Sequence, residues 1–195
     1  MARKPNTEER REQITLALLA CIAEQGYDKA TIQSIARQAG LAPGLIHYHF
    51  KSKDEILLHL VDTLAALADA RHAALAEGAG TARERLGAWL DARLALGPGA
   101  NAGAVAAWVV IGTEAVRDER VRAAYQRVIA AELARATALV AACMTKPERA
   151  PAIAATLVTF MEGAFQLSSA AREVMPVGYA AGAAAALADS LMGAA

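Results

Sequence analysis

The segment GLAPGLIHYHFKSK, residues 40–53, sets His47, Tyr48, His49 and Phe50 in a row and follows them with lysines. Two histidines on one helical face bind a metal ion when they are spaced i and i+4. His47 and His49 are two positions apart and point to different faces, so no metal site is predicted. Phe50 is expected in a hydrophobic core. The other side chains of the segment can meet an acidic partner.

The composition predicts an all-α protein. Of the 195 residues, 55% are hydrophobic, and alanine, the strongest helix former, dominates. Alternating strand-like runs bounded by hairpin turns do not occur in the sequence. The net charge is zero, yet residues 1–53 carry eight Lys and Arg against five Asp and Glu, while residues 54–195 carry twelve against fifteen. This asymmetry favours an N-terminal part that binds an anionic partner.

Cysteine usage and hydropathy bear on the cellular compartment. Cys21 and Cys143 are far apart and lack CxxC spacing, so we expect buried thiols in a reducing cytoplasm, with a redox sensor as the alternative. Residues 1–11 are polar, and the apolar run at 102–113 is shorter than the roughly 20 residues that span a bilayer. We expect a soluble, cytoplasmic protein without a membrane partner.

Helix-start and helix-stop residues divide the N-terminal part into three helices. The first starts near Thr7 and is stopped by Gly26. The second is capped by Thr31 and ends at Gly40. The third is short and begins at Pro43, because proline fits the first turn of a helix.

The remainder of the sequence also reads as helices, beginning with a long fourth helix at residue 53. We expect about nine helices in total. The predicted breaks are Gly78 with Gly80, the GPGANAG loop at 97–103, an N-cap at Asp118, Lys146 with Pro147, and Pro176.

The second and third helices carry the spacing of a helix-turn-helix. Ile35, Ala36, Ala39 and Leu41 are the apolar positions that pack two helices at a steep angle, and Gly40 supplies the turn. Such a unit lays its second helix in the major groove of DNA, which admits one helix. Double-stranded DNA is therefore the predicted partner.

The stretch TIQSIARQAGLAPGLIHYHFKSKDEIL, within residues 7–57, resembles the DNA-binding domain of the TetR (TetR/AcrR) family of bacterial regulators. The resemblance implies a helix-turn-helix DNA-binding domain at 1–52 and a helical ligand-binding and dimerisation domain at 53–195. The segments AWVVIGTEAVRDERVRAAY and FMEGAFQLSSAAREV are weakly similar to the family branch with choline-responsive regulators of the betaine pathway.

The resemblance also implies which residues contact DNA. Tyr48, His49 and Lys53 match phosphate-contacting positions, as does Thr31, whose hydroxyl can also cap its helix. Gln33 falls where a base edge is read, and glutamine can bond adenine in a bidentate way. The remaining predicted contacts lie on the recognition helix at Pro43, Gly44 and Leu45, which offer backbone and apolar contacts, and at His47.

Two positions depart from the family pattern. Ala42 stands where Ser or Thr usually caps the recognition helix, so that cap bond is absent. His47 replaces the usual tyrosine and either reads a base or packs. The basic arm with Arg3 and Lys4 either touches DNA or is only solvated.

The larger domain is expected to supply a dimer interface and an effector pocket. The last two helices carry small residues that allow close approach, although these faces could instead pack within the subunit. Aromatic residues could line an apolar pocket or form plain core. The predicted interface is Phe160, Gly163, Ala164, Leu167, Ser168, Ala183, Leu187 and Leu191, and the predicted pocket is Trp89, Trp108, Glu114, Tyr125, Met161 and Phe165.

The function that these features imply is a ligand-responsive transcriptional regulator, with repression as the expected mode. A homodimer would bind a palindromic operator and be released by an unidentified small-molecule effector. The sequence carries no Gly-rich phosphate loop, H-E-x-x-H or G-x-S-x-G motif, so neither enzyme activity nor a cofactor is predicted. The alternative is a helical dimeric DNA-binding or interaction protein without an effector.

Overall fold

The computed structural model describes residues 7–97 and 99–193, and within them it is all-α. This confirms the predicted fold class. The arm with Arg3 and Lys4 lies outside the described residues. The nine helices are α1 (Thr7–Gln25), α2 (Ile32–Ala39), α3 (Pro43–His49), α4 (Lys53–Ala76), α5 (Ala82–Leu94), α6 (Ala102–Arg117), α7 (Glu119–Ala142), α8 (Ala150–Ala170) and α9 (Tyr179–Gly193), with a 3₁₀ turn at Pro147–Arg149.

Short-range hydrogen bonds explain several of the helix starts. Thr31 and Thr81 each accept a bond from the backbone N–H three residues on, and a polar side chain at that position bonds back. Asn101 caps α6 through the N–H of Ala104. Asp118 accepts bonds from the N–H groups of residues 120 and 121, which confirms it as the cap of α7.

The chain forms two compact units. The described residues of the first unit are 7–65 and 101–125, and those of the second are 66–97, 99–100 and 126–193. The first unit therefore includes α6 in addition to the first three helices. The predicted boundary between residues 52 and 53 concerns function, and it stays a prediction.

The core of the first unit is formed by apolar side chains at helical spacing. The apolar stripes of α1 and α4 are buried, and Phe50 is 1% exposed, which confirms its predicted place in the core. α1 packs against α2, α3 and α6. The residues with no exposure are Ile14, Leu18, Ile35, Ile46, Ile56, Leu60, Val61, Ala107 and Ile111, besides Thr15.

The core of the second unit is built mainly by α5, α8 and α9. Trp89 is fully buried and lies with Leu86 and Leu90 of α5 in one cluster. α8 contributes Ile153, Ala154, Leu157, Val158, Met161 and Ala164, and α9 contributes Ala184 and Ala188. Both cysteines are free thiols, with Cys21 buried and Cys143 partly buried.

One described segment, Pro147–Ala170, is long and apolar enough to cross a membrane by length and composition. Its Ile153, Leu157 and Met161 are nonetheless buried in the core of the second unit. A core helix of a soluble protein meets the same criteria, so the segment does not indicate a membrane span.

Candidate nucleic-acid interface

The turn between α2 and α3 depends on Gly40. Gly40 has φ +66° and ψ 34°, the left-handed region that side chains with a Cβ rarely adopt. Its N–H bonds to the carbonyl of Arg37 at 3.1 Å, and the N–H of Leu41 bonds to that of Ala36 at 2.8 Å. These bonds end α2 and redirect the chain into α3.

Few side chains of the recognition helix α3 are buried in the core, and most of the others face solvent. Ile46 is 0% exposed and Phe50, directly after the helix, is 1% exposed. Tyr48 is 79% exposed, and His47 is exposed as well. The ring of Tyr48 meets that of His49 edge-on at 5.0 Å. The helix therefore presents its polar and aromatic side chains to solvent, where a nucleic acid can reach them.

The start of α3 agrees with the sequence prediction. Ala42 makes no side-chain cap bond, and Pro43 occupies the first turn. The N–H of Leu45 bonds to the carbonyl of Ala42 at 2.9 Å. Pro43 and Gly44 are exposed and Leu45 is half-buried, so this end offers backbone and one apolar side chain.

Two side chains of α1 donate hydrogen bonds to the C-terminal ends of α2 and α3. Arg11 Nη1 donates to the carbonyl of His49 at 2.7 Å, and its guanidinium lies 4.2 Å from the centre of the Phe50 ring. Gln13 Nε2 donates to the carbonyl of Ala39 at 2.7 Å. A cation or donor at a helix C-terminus satisfies its last carbonyls. Sequence analysis missed both residues, because nothing in the local pattern marks contacts 26 and 38 positions apart.

Lys53 at the start of α4 is oriented by Tyr27. Its Nζ donates to the carbonyl of Tyr27 at 2.9 Å and lies 4.0 Å from the centre of the Tyr27 ring. The Tyr27 hydroxyl donates to Asp54 Oδ1 at 2.8 Å, and burial, with Asp54, raises the pKa of Tyr27. An ammonium has three donors, so Lys53 keeps others for a phosphate.

The predicted contacts of α2 are accessible. Thr31 Oγ1 accepts from the Ser34 N–H at 3.1 Å, which leaves its proton available to an acceptor. Gln33 is exposed. Arg37 of α2 and Lys51 after α3 are also exposed and add positive charge to this part of the chain. Neither was among the predicted contacts.

The predicted pocket residues are divided between the two units. In the first, the rings of Trp108 and Tyr125 are 5.0 Å apart and tilted by 30°, and Glu114 is half-buried. In the second, Trp89 is 0% and Met161 3% exposed within the packed core, and Phe165 packs against it. In the part of the chain that the structure describes, no three His, Cys, Asp or Glu side chains are grouped to hold a metal ion.

The predicted interface residues lie mostly on the outer sides of α8 and α9. Gly163, Leu167 and Ala183 are exposed, with Leu167 at 42%. Ala164 is 4% exposed and packs inside its own subunit, which leaves little of its surface for a partner. The half-buried members are Phe160, Ser168, Leu187 and Leu191.

Residues 14–60 match the family profile described as bacterial regulatory proteins, tetR family. The BetI regulator of Rhizobium meliloti (strain 1021) is 34% identical over 113 residues, which are 58% of this chain and 55% of that protein. The fatty acid metabolism regulator protein of Bacillus subtilis (strain 168) is 46% identical over 48 residues, 25% of each chain. The match thus spans about half of the first relative and a quarter of the second.

Two solved structures share the fold over nearly the whole chain. A transcriptional regulator from Rhodococcus sp. Rha1 has a TM-score of 0.83 at 21% identity, covering 94% of this chain and 96% of that one. A regulator from Saccharomonospora viridis, solved in complex with choline, has a TM-score of 0.80 at 24% identity, covering 91% and 94%.

An exposed recognition helix on an all-α scaffold defines a helix-turn-helix regulatory protein. The family profile covers α2 and α3 entirely and extends into α4. Residues 14–60 therefore carry the DNA-binding domain of the tetR family of bacterial regulatory proteins.

Proposed function

We propose that this protein is a transcriptional repressor that binds a palindromic operator as a homodimer and is released by a small-molecule effector. The observation that best supports DNA binding is the way in which α3 packs against the core. Ile46 and Phe50 anchor the helix in the core while Tyr48, 79% exposed, points away from it. An anchored helix with exposed polar side chains suits the major groove. The protein would act in the cytoplasm as a regulator and not as an enzyme.

In this proposal the predicted DNA-contacting residues divide by role. Thr31, Tyr48, His49 and Lys53 hold phosphates, which sets the position of the protein on the duplex. Gln33 reads a base edge. The remaining contacts, Pro43, Gly44, Leu45 and His47, meet the bases from the N-terminal and central part of α3.

A two-fold dimer requires a fixed spacing of its recognition helices, roughly 34–36 Å or a multiple of it. The outer faces of α8 and α9 are the proposed contact between copies. They expose Gly163, Ala183 and Leu167 without a charged side chain among them, which permits close packing of helices. The interface would also use Phe160, Ser168, Leu187 and Leu191, while the burial of Ala164 removes that residue from the proposed contact.

The candidate effector-binding residues lie outside the helix-turn-helix and are considered separately in each unit. They are Trp108, Glu114 and Tyr125 in the first unit and Trp89, Met161 and Phe165 in the second. A ligand shifts a two-state equilibrium only by its differential affinity for the two states. The choline complex of the Saccharomonospora regulator supports effector binding in this fold. The complete burial of Trp89 favours the alternative, a helical dimeric DNA-binding or interaction protein without a small-molecule effector.

Selection of bound sequences from random DNA tests the proposal. A palindrome with half-sites about one helical turn apart, or a multiple, is the expected result. No enrichment over the starting pool would contradict sequence-specific binding.

Paired variants then separate the roles of the contacts. Gln33→Ala should relax preference at one base pair, while Gln38→Ala, an exposed glutamine on the same helix, should not. Tyr48→Phe and Lys53→Ala should weaken binding to all DNA sequences alike. Lys146→Ala is the control for the loss of a lysine. Equal effects of the Gln33 and Gln38 variants would refute base reading by Gln33.

A further inference from the structure

The second unit contains buried side-chain nitrogens that lack a hydrogen-bond partner. Among the described residues, the buried side-chain N and O atoms without a hydrogen-bond partner are Arg71 Nε, His72 Nε2 and Arg135 Nε. The first two belong to α4 and the third to α7. Buried polar groups are almost always hydrogen-bonded, so such a group needs an explanation. All three atoms are nitrogens, and an arginine nitrogen can only donate.

The acceptors beside these atoms are already used. Glu132 Oε2 accepts from Trp89 Nε1 at 3.1 Å and from Arg93 Nε at 3.2 Å, and Oε1 accepts from Arg93 Nη2 at 2.5 Å. Asp69 accepts from Arg93 Nη2 at 3.1 Å and from Arg135 Nη2 at 2.8 Å. Two arginines thus balance two carboxylates, and each carboxylate oxygen has a donor.

Beside Trp89, the position that a cationic ligand would occupy is taken by a side chain of the protein itself. A quaternary ammonium is usually held by an aromatic face beside negative charge. Here the Arg93 guanidinium lies 6.0 Å from the centre of the Trp89 ring and binds Glu132 and Asp69. Its side chain is only 5% exposed, and a further donor, Nη1, bonds to the carbonyl of Ala68 at 3.0 Å. A small cation would have to displace this buried side chain.

His72 and Arg135 lie beside the same carboxylate. Asp69 and His72 are three positions apart on α4 and share a face, and Asp69 is bonded to Arg135. The Arg135 side chain is 35% exposed, so this edge of the network is open to solvent. Arg71 differs, since its Nη atoms bond to the carbonyls of Ala92 and Ala95 at the end of α5. It is left out of the site.

We propose that His72 and Arg135 bind an oxyanion, a carboxylate or phosphate group, and that the effector of this protein is an acid. The groups without a hydrogen-bond partner are nitrogens, and each oxygen of Asp69 and Glu132 already accepts at least one hydrogen bond. Arg135 Nε forms an ion pair with Glu132 Oε1, but at 4.0 Å this is longer than a hydrogen bond. Arg135 Nε and His72 Nε2, in the tautomer that carries a proton there, would each donate to the anion. The inference rests on the proposed function and deepens it by naming the class of effector.

The test is binding of small probes to the full chain without DNA, by calorimetry and thermal unfolding. The probes are octanoate, benzoate, inorganic phosphate and choline. At least one oxyanion is expected to bind saturably. Binding of octanoate or benzoate would indicate a carboxylate ligand, and binding of inorganic phosphate would indicate a phosphate ligand. Choline is expected not to bind. Binding of choline alone, or of no probe, would overturn the proposal.

Variants locate the site. Arg135→Lys keeps the charge that pairs with Asp69 but removes Nε, and His72→Phe keeps a ring without its nitrogens. Each should weaken oxyanion binding by roughly tenfold or more. Arg83→Lys, the same change in the exposed pair with Asp189, should leave the Kd unchanged. Unchanged binding in both site variants would refute the assignment. Because no DNA is present, this result stands or fails separately from operator selection.

Discussion

Polar side chains are placed in opposite ways on the recognition helix of the first unit and in the Arg93 network of the second. In the first unit the recognition helix buries Ile46 and leaves Tyr48 79% exposed. In the second unit Arg93 is 5% and Glu132 16% exposed, and they bond to each other. Side chains turned outward can act only on an external partner, whereas paired charges turned inward contribute to the stability of their own unit. The comparison predicts that substitutions in the first unit change DNA binding and those in the second change folding and effector response.

The largest effect is expected from Arg93→Met in the second unit. It leaves Glu132, whose side chain is 16% exposed, without its main partner, which should lower the free energy of unfolding by about 3–5 kcal/mol. Arg83→Met is the control, because Arg83 and Asp189 form an exposed pair, 39% and 59% exposed. Such a pair contributes about 0–1 kcal/mol. Urea unfolding measures both variants, and equal losses would contradict the importance of the buried network.

Glycine substitutions should have opposite signs in the two units. Gly40→Ala forces a Cβ into the left-handed region at φ +66°, which should cost about 1–2 kcal/mol. Gly87 lies in α5 with an ordinary φ, and a Cβ there would meet only the flexible side chain of Arg83, at 3.8 Å. Gly87→Ala should stabilise by about 0.5–1 kcal/mol. Thermal unfolding compares them, and a stabilising Gly40→Ala would refute the turn geometry.

Two matched threonine caps separate folding from DNA binding. Thr31 caps α2 and Thr81 caps α5 with the same reciprocal bonds. Replacing either threonine with alanine should cost about 1 kcal/mol of stability. Only Thr31→Ala should also weaken operator binding, in a filter-binding or fluorescence assay under conditions where both variants are folded. A similar loss of DNA affinity in both variants would remove Thr31 from the phosphate contacts.

The smallest effect concerns pH and should appear in both units. Burial, followed by the charge of Arg11, lowers the pKa of His59, and burial with Arg93 and Arg135 lowers that of His72. Below about pH 6.5 the unfolded chain therefore binds more protons than the folded one, and stability falls as the pH falls. Thermal unfolding between about pH 8 and pH 5.5 should show a declining Tm. His72→Phe should reduce this decline of Tm with falling pH. A Tm that stays constant over this pH range in the unmodified protein would refute the prediction.

The sequence predicted those parts of the fold that depend on local signals. Thr31, Gly40, Pro43 and Asp118 act within a few residues of themselves, and the structure confirms the helix ends that they mark. The burial of Phe50 followed from its place on an apolar face. These features depend on short-range geometry, which a single sequence displays.

Other features could not be predicted, because they depend on long-range packing. Arg93 meets Glu132 39 positions further on, and Arg11 meets His49 38 positions further on. The predicted pocket residues are divided between the two units, and the pocket stays a prediction, since aromatic spacing does not tell Trp89 in a core from Trp108 beside Tyr125. The DNA contacts stay predictions, supported by the exposure of α3.

The most direct test of the account is the affinity of the full chain for its selected palindrome and for a scrambled duplex of equal length, at the same salt. The account predicts that the palindrome binds about 10³-fold more tightly or better. It also predicts that Tyr48→Phe lowers both affinities together. Equal affinity for the two duplexes in the unmodified protein would contradict the claim that α3 reads an operator.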